Sequence, residues 1–275
     1  MTRGALLAPA LLVVGGVLVV PLALLFVISF WSVQSFKLQP DLSLAAWVRF
    51  VTSYGGLTLY TLAIGFITAA ICVVVGFAFA CLVRFRAGRF ADAMVMAVLV
   101  TLFGGYLVKV YAWKTILGAD GILNQALIAL GVVNAPVAWL LFSRPAVVIT
   151  LVHFLLPLAI LPLYATLRNV APATLEAARD LGANGGQVLT RVILPQCRLG
   201  LFAAFAFCFV LAAGDYVTPL LLGGSGGSML GQFIALEFST RFNWPAGAAM
   251  SFGLLGASLV VLAAVWLAIA PRRRR

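Results

Sequence analysis

The sequence predicts an all-α membrane protein: six transmembrane helices in a single domain over residues 1–275, with both termini cytoplasmic. Three observations carry this prediction. Of the 275 residues, 64% are hydrophobic and only 9% are charged, whereas soluble domains carry roughly a quarter charged residues. Apolar stretches long enough for a bilayer-spanning helix recur along the chain. Basic residues then divide unevenly between alternate connections. The same composition excludes a soluble enzyme and a disordered chain, and unbroken rather than alternating apolar runs exclude an outer-membrane barrel.

The spans are expected at about residues 5–31, 57–83, 90–113, 145–168, 199–222 and 246–270. Ala5–Phe30 is too long for a signal-peptide core and precedes no small-x-small cleavage site, so it reads as an uncleaved first helix. Leu57–Val83, Pro145–Leu167 and Ala246–Ala270 are free of charge. Phe90–Trp113 carries Asp92 and Lys109, and Leu199–Leu222 carries Asp215. Glycines at 15, 16, 65, 76, 104, 105, 253 and 256 fit close helix approach, because lipid gives helices no hydrophobic drive to pack.

Gly121–Ser143 is also uncharged, but it holds Asn124, Gln125, Asn134 and Pro136, groups that lipid does not satisfy. Charge decides whether it crosses. With six spans, twelve basic residues lie inside (Arg3, Arg84, Arg86, Arg89, Arg168, Arg179, Arg191, Arg198 and Arg272–Arg275) and six outside (Lys37, Arg49, Lys109, Lys114, Arg144, Arg241). A seventh crossing would invert that ratio, so the positive-inside rule selects six spans. Gly121–Leu130 then becomes a short helix on the outer face. The net charge of +11 is accordingly topological, with the C-terminal arginines touching anionic lipid, and no nucleic-acid partner is expected.

Cys72, Cys81, Cys197 and Cys208 form no CxxC pair and read as small apolar residues. The single histidine, His153, reads as a satisfied buried imidazole, and no metal site or catalytic residue is expected. Asp92 is placed to pair with Arg84, Arg86 or Arg89 near the inner interface.

The connection at 169–198 is expected to form two short helices on the cytoplasmic side. Pro172 suits a first turn, Gly182 a left-handed C-terminal cap and Asn184 an N-cap. The second helix runs to about Leu194, with Pro195 ending it. Leu175, Ala178 and Leu181 share one face. Such a stiff pair is a protein-docking surface; a helix lying on lipid would carry more Lys/Arg and larger apolar anchors.

Glu176-Ala177-Ala178, then Gly182, Val192 and Leu194-Pro195 at their spacing resemble the EAA loop in permease subunits of bacterial ABC importers of the binding-protein-dependent type. Tyr111–Gly118, Gly121–Asn124, Leu161–Tyr164, Gly214–Pro219, Leu222–Gly224 and Asn243–Gly247 look like its spermidine/putrescine branch. Departures are Gly185-Gly186, where many relatives carry an aromatic residue, and Leu199-Gly200, where a Pro-Gly pair is common.

The resemblance implies a type I importer permease fold in the bacterial inner membrane, forming half of a translocation pathway for a polyamine. It implies that 169–198 is the coupling loop, with Glu176, Ala177, Ala178, Gly182, Leu194 and Pro195 contacting an ABC ATPase. It further implies an ATPase dimer, a second permease subunit paired as a heterodimer, and an extracytoplasmic solute-binding protein. No GK dipeptide, hence no Walker A loop, is present. The chain itself needs no cofactor, and ATP–Mg belongs on the ATPase.

Asp215 lies about 24 Å along the fifth helix from Leu199 at ~1.5 Å per residue, nearer the outer mouth. A carboxylate there faces the bundle interior or water. It either attracts a cationic substrate, with Tyr216, Trp244 or Tyr111 adding cation–π contact and Glu237 a further acid, or makes a structural hydrogen bond or ion pair. Rival readings are a permease for iron, thiamine or an oxyanion, and a self-sufficient secondary transporter, which internal repeats and midplane ion sites would mark.

Overall fold

The computed structural model describes Val13 and residues 15–270. Arg3 and Arg272–Arg275, used in the charge count, lie outside the described residues, as does the start of the first expected span. The chain forms two compact units, one from Met1–Tyr60 and Leu230–Ala257, the other from Thr61–Met229 and Ser258–Arg275. Among the described residues, four helices are long and apolar enough to cross a bilayer, and a bent pair makes a fifth candidate.

In the first unit, α1 (Gly15–Ile28) is followed by a departure from the all-α expectation. Strands β1 (Ser32–Gln34) and β2 (Lys37–Gln39) pair antiparallel. Ser35 and Phe36 form the two-residue turn at φ 48° and 61°, the backbone that matches strand twist. Asp41 fastens the hairpin: its carboxylate accepts from the Ser32 amide and hydroxyl, both at 2.8 Å. Helix α2 (Ala45–Phe85, 41 residues) starts twelve residues before the expected span and extends about 61 Å at 1.5 Å per residue. The apolar run marks only the part suited to lipid; the helix continues through Arg49 into polar sequence. Trp47 stacks on Phe30 at 5.9 Å and donates to Ser29 Oγ at 3.1 Å.

The second unit is built on residues 61–85 of α2, α6 (Arg144–Arg168) and α8 (Gly185–Gly214). Ser143 caps α6 by accepting from the Ala146 amide at 3.2 Å. Its stripe of Leu151, Leu155, Ala159, Leu163 and Leu167 is fully buried. Glycines set the approach: a Cβ at Gly65 would meet Ala213 at 3.3 Å, and one at Gly76 would meet Leu163 at 3.3 Å. Gly15, Gly16 and Gly256 have no such neighbours within 4 Å, so close approach explains only some of the span glycines.

The expected continuous span 90–113 is instead two helices, α3 (Ala91–Phe103, entered through the turn Gly88–Phe90) and α4 (Tyr106–Leu117). Gly104 and Gly105 between them are extended, at ψ 125° and 134°. Gly88–Phe103 and Tyr106–Ala129 meet at 93°. The buried Lys109 Nζ donates to the Thr101 carbonyl at 2.5 Å, satisfying one of the carbonyls a helix end leaves open. The next helix, α5 (Ile122–Ala129), agrees with the expected short helix. Buried Asn124 donates to Gly118 O at 2.9 Å and accepts from Val137 N at 2.8 Å, so its polarity is satisfied by protein.

Two further expectations are corrected. Pro195 does not end a helix: α8 runs through it, widened over Val188–Ile193 into a π-type stretch where a missing N–H is tolerated. The fifth span does not reach 222, because α8 stops at Gly214, Asp215 is extended, and a separate wide turn, Pro219–Gly223, follows. After it come α9 (Leu230–Ser239) and α10 (Trp244–Ile269) of the first and both units respectively. All four cysteines are free. The ends of α2 and α6 and the start of α3 surround one cavity, lined by Val83, Arg84, Gly88, Ala91, Tyr164 and Arg168.

Candidate functional site

The connection after α6 folds as a helix pair whose caps follow from its own residues. Helix α7 (Pro172–Asp180) has Pro172 in its first turn. At its C-terminus, Gly182 takes φ +83°. The Gly182 amide donates to Arg179 O at 2.8 Å and the Ala183 amide to Ala178 O at 3.0 Å, the paired closure of a Schellman cap. Asn184 then opens α8. Its side chain accepts from the Gln187 amide at 3.0 Å while Gln187 Oε1 accepts from the Asn184 amide at 3.0 Å, a reciprocal box in which the sequence reading had only the Asn184 half.

The pair presents a specific surface. Leu175 is buried and Ala178 half-buried, whereas Glu176, Ala177 and Gly182 are exposed. Leu181, expected on the Leu175 face, is 88% exposed, because the chain leaves helical geometry there. Leu194 is half-buried and Pro195 exposed within α8. An acid, small alanines and an uncovered leucine thus sit on a capped, rigid turn.

Asp215 organises a second polar feature. Its Oδ1 accepts from the Tyr106 hydroxyl at 2.6 Å and the Val217 amide at 3.0 Å, and its Oδ2 from the Thr218 amide at 3.3 Å. Tyr106 Oη also lies 2.9 Å from the buried Thr218 hydroxyl. Two interrupted helices therefore meet: the α3–α4 bend supplies Tyr106, and the break after α8 supplies Asp215. The Tyr106 ring packs at 4.6 Å on Phe154, about 15 Å along α6 at 1.5 Å per residue. Lys109 Nζ lies 5.6 Å from the same Phe154 ring. His153 accepts from Trp113 Nε1 at 3.0 Å, but it is exposed rather than buried as expected, because it lies on the face of α6 opposite the buried leucine stripe.

Tyr216 and Tyr111 are exposed, at 47% and 55%, and neither hydroxyl is among the hydrogen-bond partners of Asp215. Tyr106 was missed; nothing local signals a partner 109 positions away. Trp244 and Glu237 belong to the first unit. Trp244 lies 6.1 Å from Phe238, edge to face. Glu237 is fully buried, 2.6 Å from Arg241 and 3.9 Å from Arg49, and Arg241 also donates to Tyr54 Oη at 3.4 Å. Both ion pairs among the described residues are to Glu237, so Asp92 makes none with Arg84, Arg86 or Arg89. Exposed carboxylates gain little from such pairing.

Residues 90–275 match the family described as binding-protein-dependent transport system inner membrane component. The spermidine/putrescine transport system permease protein PotB of Haemophilus influenzae is 36% identical over 201 residues, 73% of this chain and 70% of that protein. The Escherichia coli protein of the same name is 31% identical over 215 residues, 78% of each chain. A bacterial alginate ABC transporter, solved in complex with an alginate pentasaccharide-bound periplasmic protein, contains a chain similar in fold. It has a TM-score of 0.75 at 16% identity, covering 95% of this chain and 91% of that one. The matched stretch takes in the helix pair, the Asp215 break and four of the long or bent spans, and on it the chain is placed in the binding-protein-dependent family, as an inner-membrane permease subunit of an ABC importer.

Proposed function

We infer that this permease carries a polyamine, and that Glu176, Ala177, Ala178, Gly182, Leu194 and Pro195 form its contact with an ABC ATPase. The observation that carries the coupling reading is the helix pair itself: a Schellman cap and a reciprocal box hold Glu176, Ala177 and the 88% exposed Leu181 in fixed geometry on an exposed surface. A surface of that kind is complementary to a cleft on a partner protein. The names of the PotB relatives support the polyamine reading. So does the Asp215 carboxylate at the break after an apolar helix, which is costly in a membrane unless it serves a polar pathway.

Six spans with cytoplasmic termini remain the topology we propose. The ends of α2 and α6 share one cavity, which supports a single outward crossing by the bent α3–α4 segment and a return by α6. The permease works by alternating access: ATP–Mg binding closes an ATPase dimer, the helix pair transmits the motion, and this chain with a second, different permease subunit opens toward an extracytoplasmic solute-binding protein. Asp215, with Tyr216 and Tyr111 of the same unit, favours cationic solute; membrane lipid surrounds the bundle.

The test is solute-stimulated ATP hydrolysis in proteoliposomes holding the chain, its ATPase, its second permease and its binding protein. Spermidine and putrescine should stimulate, and iron, thiamine and oxyanions should not. Asp215→Asn should lower polyamine uptake with assembly intact, and Glu176→Lys should release the ATPase. Full polyamine transport by Asp215→Asn refutes the pathway assignment, and full ATPase retention by Glu176→Lys refutes the docking assignment.

A further inference from the structure

Arg84 and Arg168 stand at the C-terminal ends of two apolar helices, α2 and α6, and line the same cavity of about 490 Å3. Among the described residues neither is in an ion pair. Arg84 Nε is buried without a hydrogen-bond partner. Each guanidinium lies near a ring instead, Arg84 at 5.8 Å from Phe85 and Arg168 at 5.9 Å from Tyr164. Such contact steadies a guanidinium but accepts none of its N–H groups; the buried Arg84 Nε is the donor left unmade, at a cost, while Arg168 is exposed. The rest of the wall is small or apolar. Ala91 adds only a methyl, and the direction in which a Cβ at Gly88 would point is open. Arg86 and Arg89 are exposed nearby, and the exposed Asp92 follows Ala91 in sequence without joining the lining.

Two planar forks of donors lining one polar cavity suit a tetrahedral oxyanion. We propose that this cavity binds a phosphate group through Arg84 and Arg168. The arginines stand where the apolar runs stop, at the depth of lipid headgroups, which favours an anionic phospholipid over soluble phosphate. A bound phosphate would tie together the ends of α2 and α6 and the start of α3, four residues before the docking helix α7.

The experiment is native mass spectrometry of the full chain released from detergent, titrated separately with phosphatidylglycerol, phosphatidylcholine and inorganic phosphate. Wild type should retain phosphatidylglycerol, and Arg84→Gln/Arg168→Gln should bind it about tenfold more weakly. Ala91→Phe, which fills the cavity and removes no charge, should weaken it too. Arg89→Gln, outside the lining, should not. Retention of inorganic phosphate with no preference between the lipids would keep the site and assign it to a soluble phosphate. Equal phosphatidylglycerol and phosphate binding by wild type and the double variant, or none by wild type, overturns the proposal.

Discussion

Substituting Gly182 isolates what holds the proposed docking turn in shape. The residue sits at φ +83° and a Cβ there would meet nothing within 4 Å. Gly182→Ala therefore creates no clash within the chain; its cost is the left-handed backbone alone, roughly 1–2 kcal/mol. If the turn relaxes to avoid that cost, the geometry that fits the ATPase falls by a factor of about 5–30. Asn tolerates the left-handed region, so Gly182→Asn should stay close to wild type, Gly182→Ala should bind the ATPase about 5–30-fold more weakly, and Gly182→Val weaker still because branching at Cβ stiffens the backbone further. Titration of the purified permease with its ATPase, read as retained ATPase or as solute-stimulated hydrolysis, gives the three affinities. Gly182→Ala binding as well as wild type would refute the conformational argument. Gly182→Asn failing as badly as Gly182→Val would also refute it, because side-chain bulk against the partner would then decide.

Glu237→Gln should lower thermal stability by about 1–3 kcal/mol, less than a wholly buried pair because its arginine partners are half-exposed; an unchanged unfolding midpoint in detergent would refute this. Gly200→Leu should destabilise by about 1–3 kcal/mol through overpacking, since its Cβ would fall on the Thr166 side chain and the Pro162 carbonyl; a midpoint equal to wild type counts against it. The Ser32 hydroxyl holds the Asp41 carboxyl below the usual aspartate value. Its contribution to the hairpin is therefore complete above about pH 4 and lost as pH falls through the depressed value. The protection factor of the Ser32 amide, measured against its intrinsic exchange rate at each pH, should fall only in that acid window, and Asp41→Asn should abolish this pH dependence.

The helix pair at 172–187 was legible because its chemistry is local: Pro172, Gly182 and Asn184 each dictate a backbone state within a few residues. The apolar runs located α6 almost to the residue, since both of its ends coincide with changes of composition. Other features depended on what no window contains. Gly104-Gly105 could serve close packing or a bend, and only the Lys109–Thr101 bond and the surrounding helices select the bend. Pro195 has an ordinary role as a helix stop, overridden here by widening of the preceding turns. Asp215 was recognised as significant, but its partner Tyr106 is brought to it by tertiary folding.

Because α8 passes unbroken from Gly185 to Gly214, a single stiff rod of about 45 Å at 1.5 Å per residue has Asn184 at one tip and Asp215 at the other. A push on the first tip reaches the second without crossing a loop. Its one soft place is the loosened coil at Val188–Ile193, so slack between the two ends is governed by those six residues and could be tuned there without touching either end.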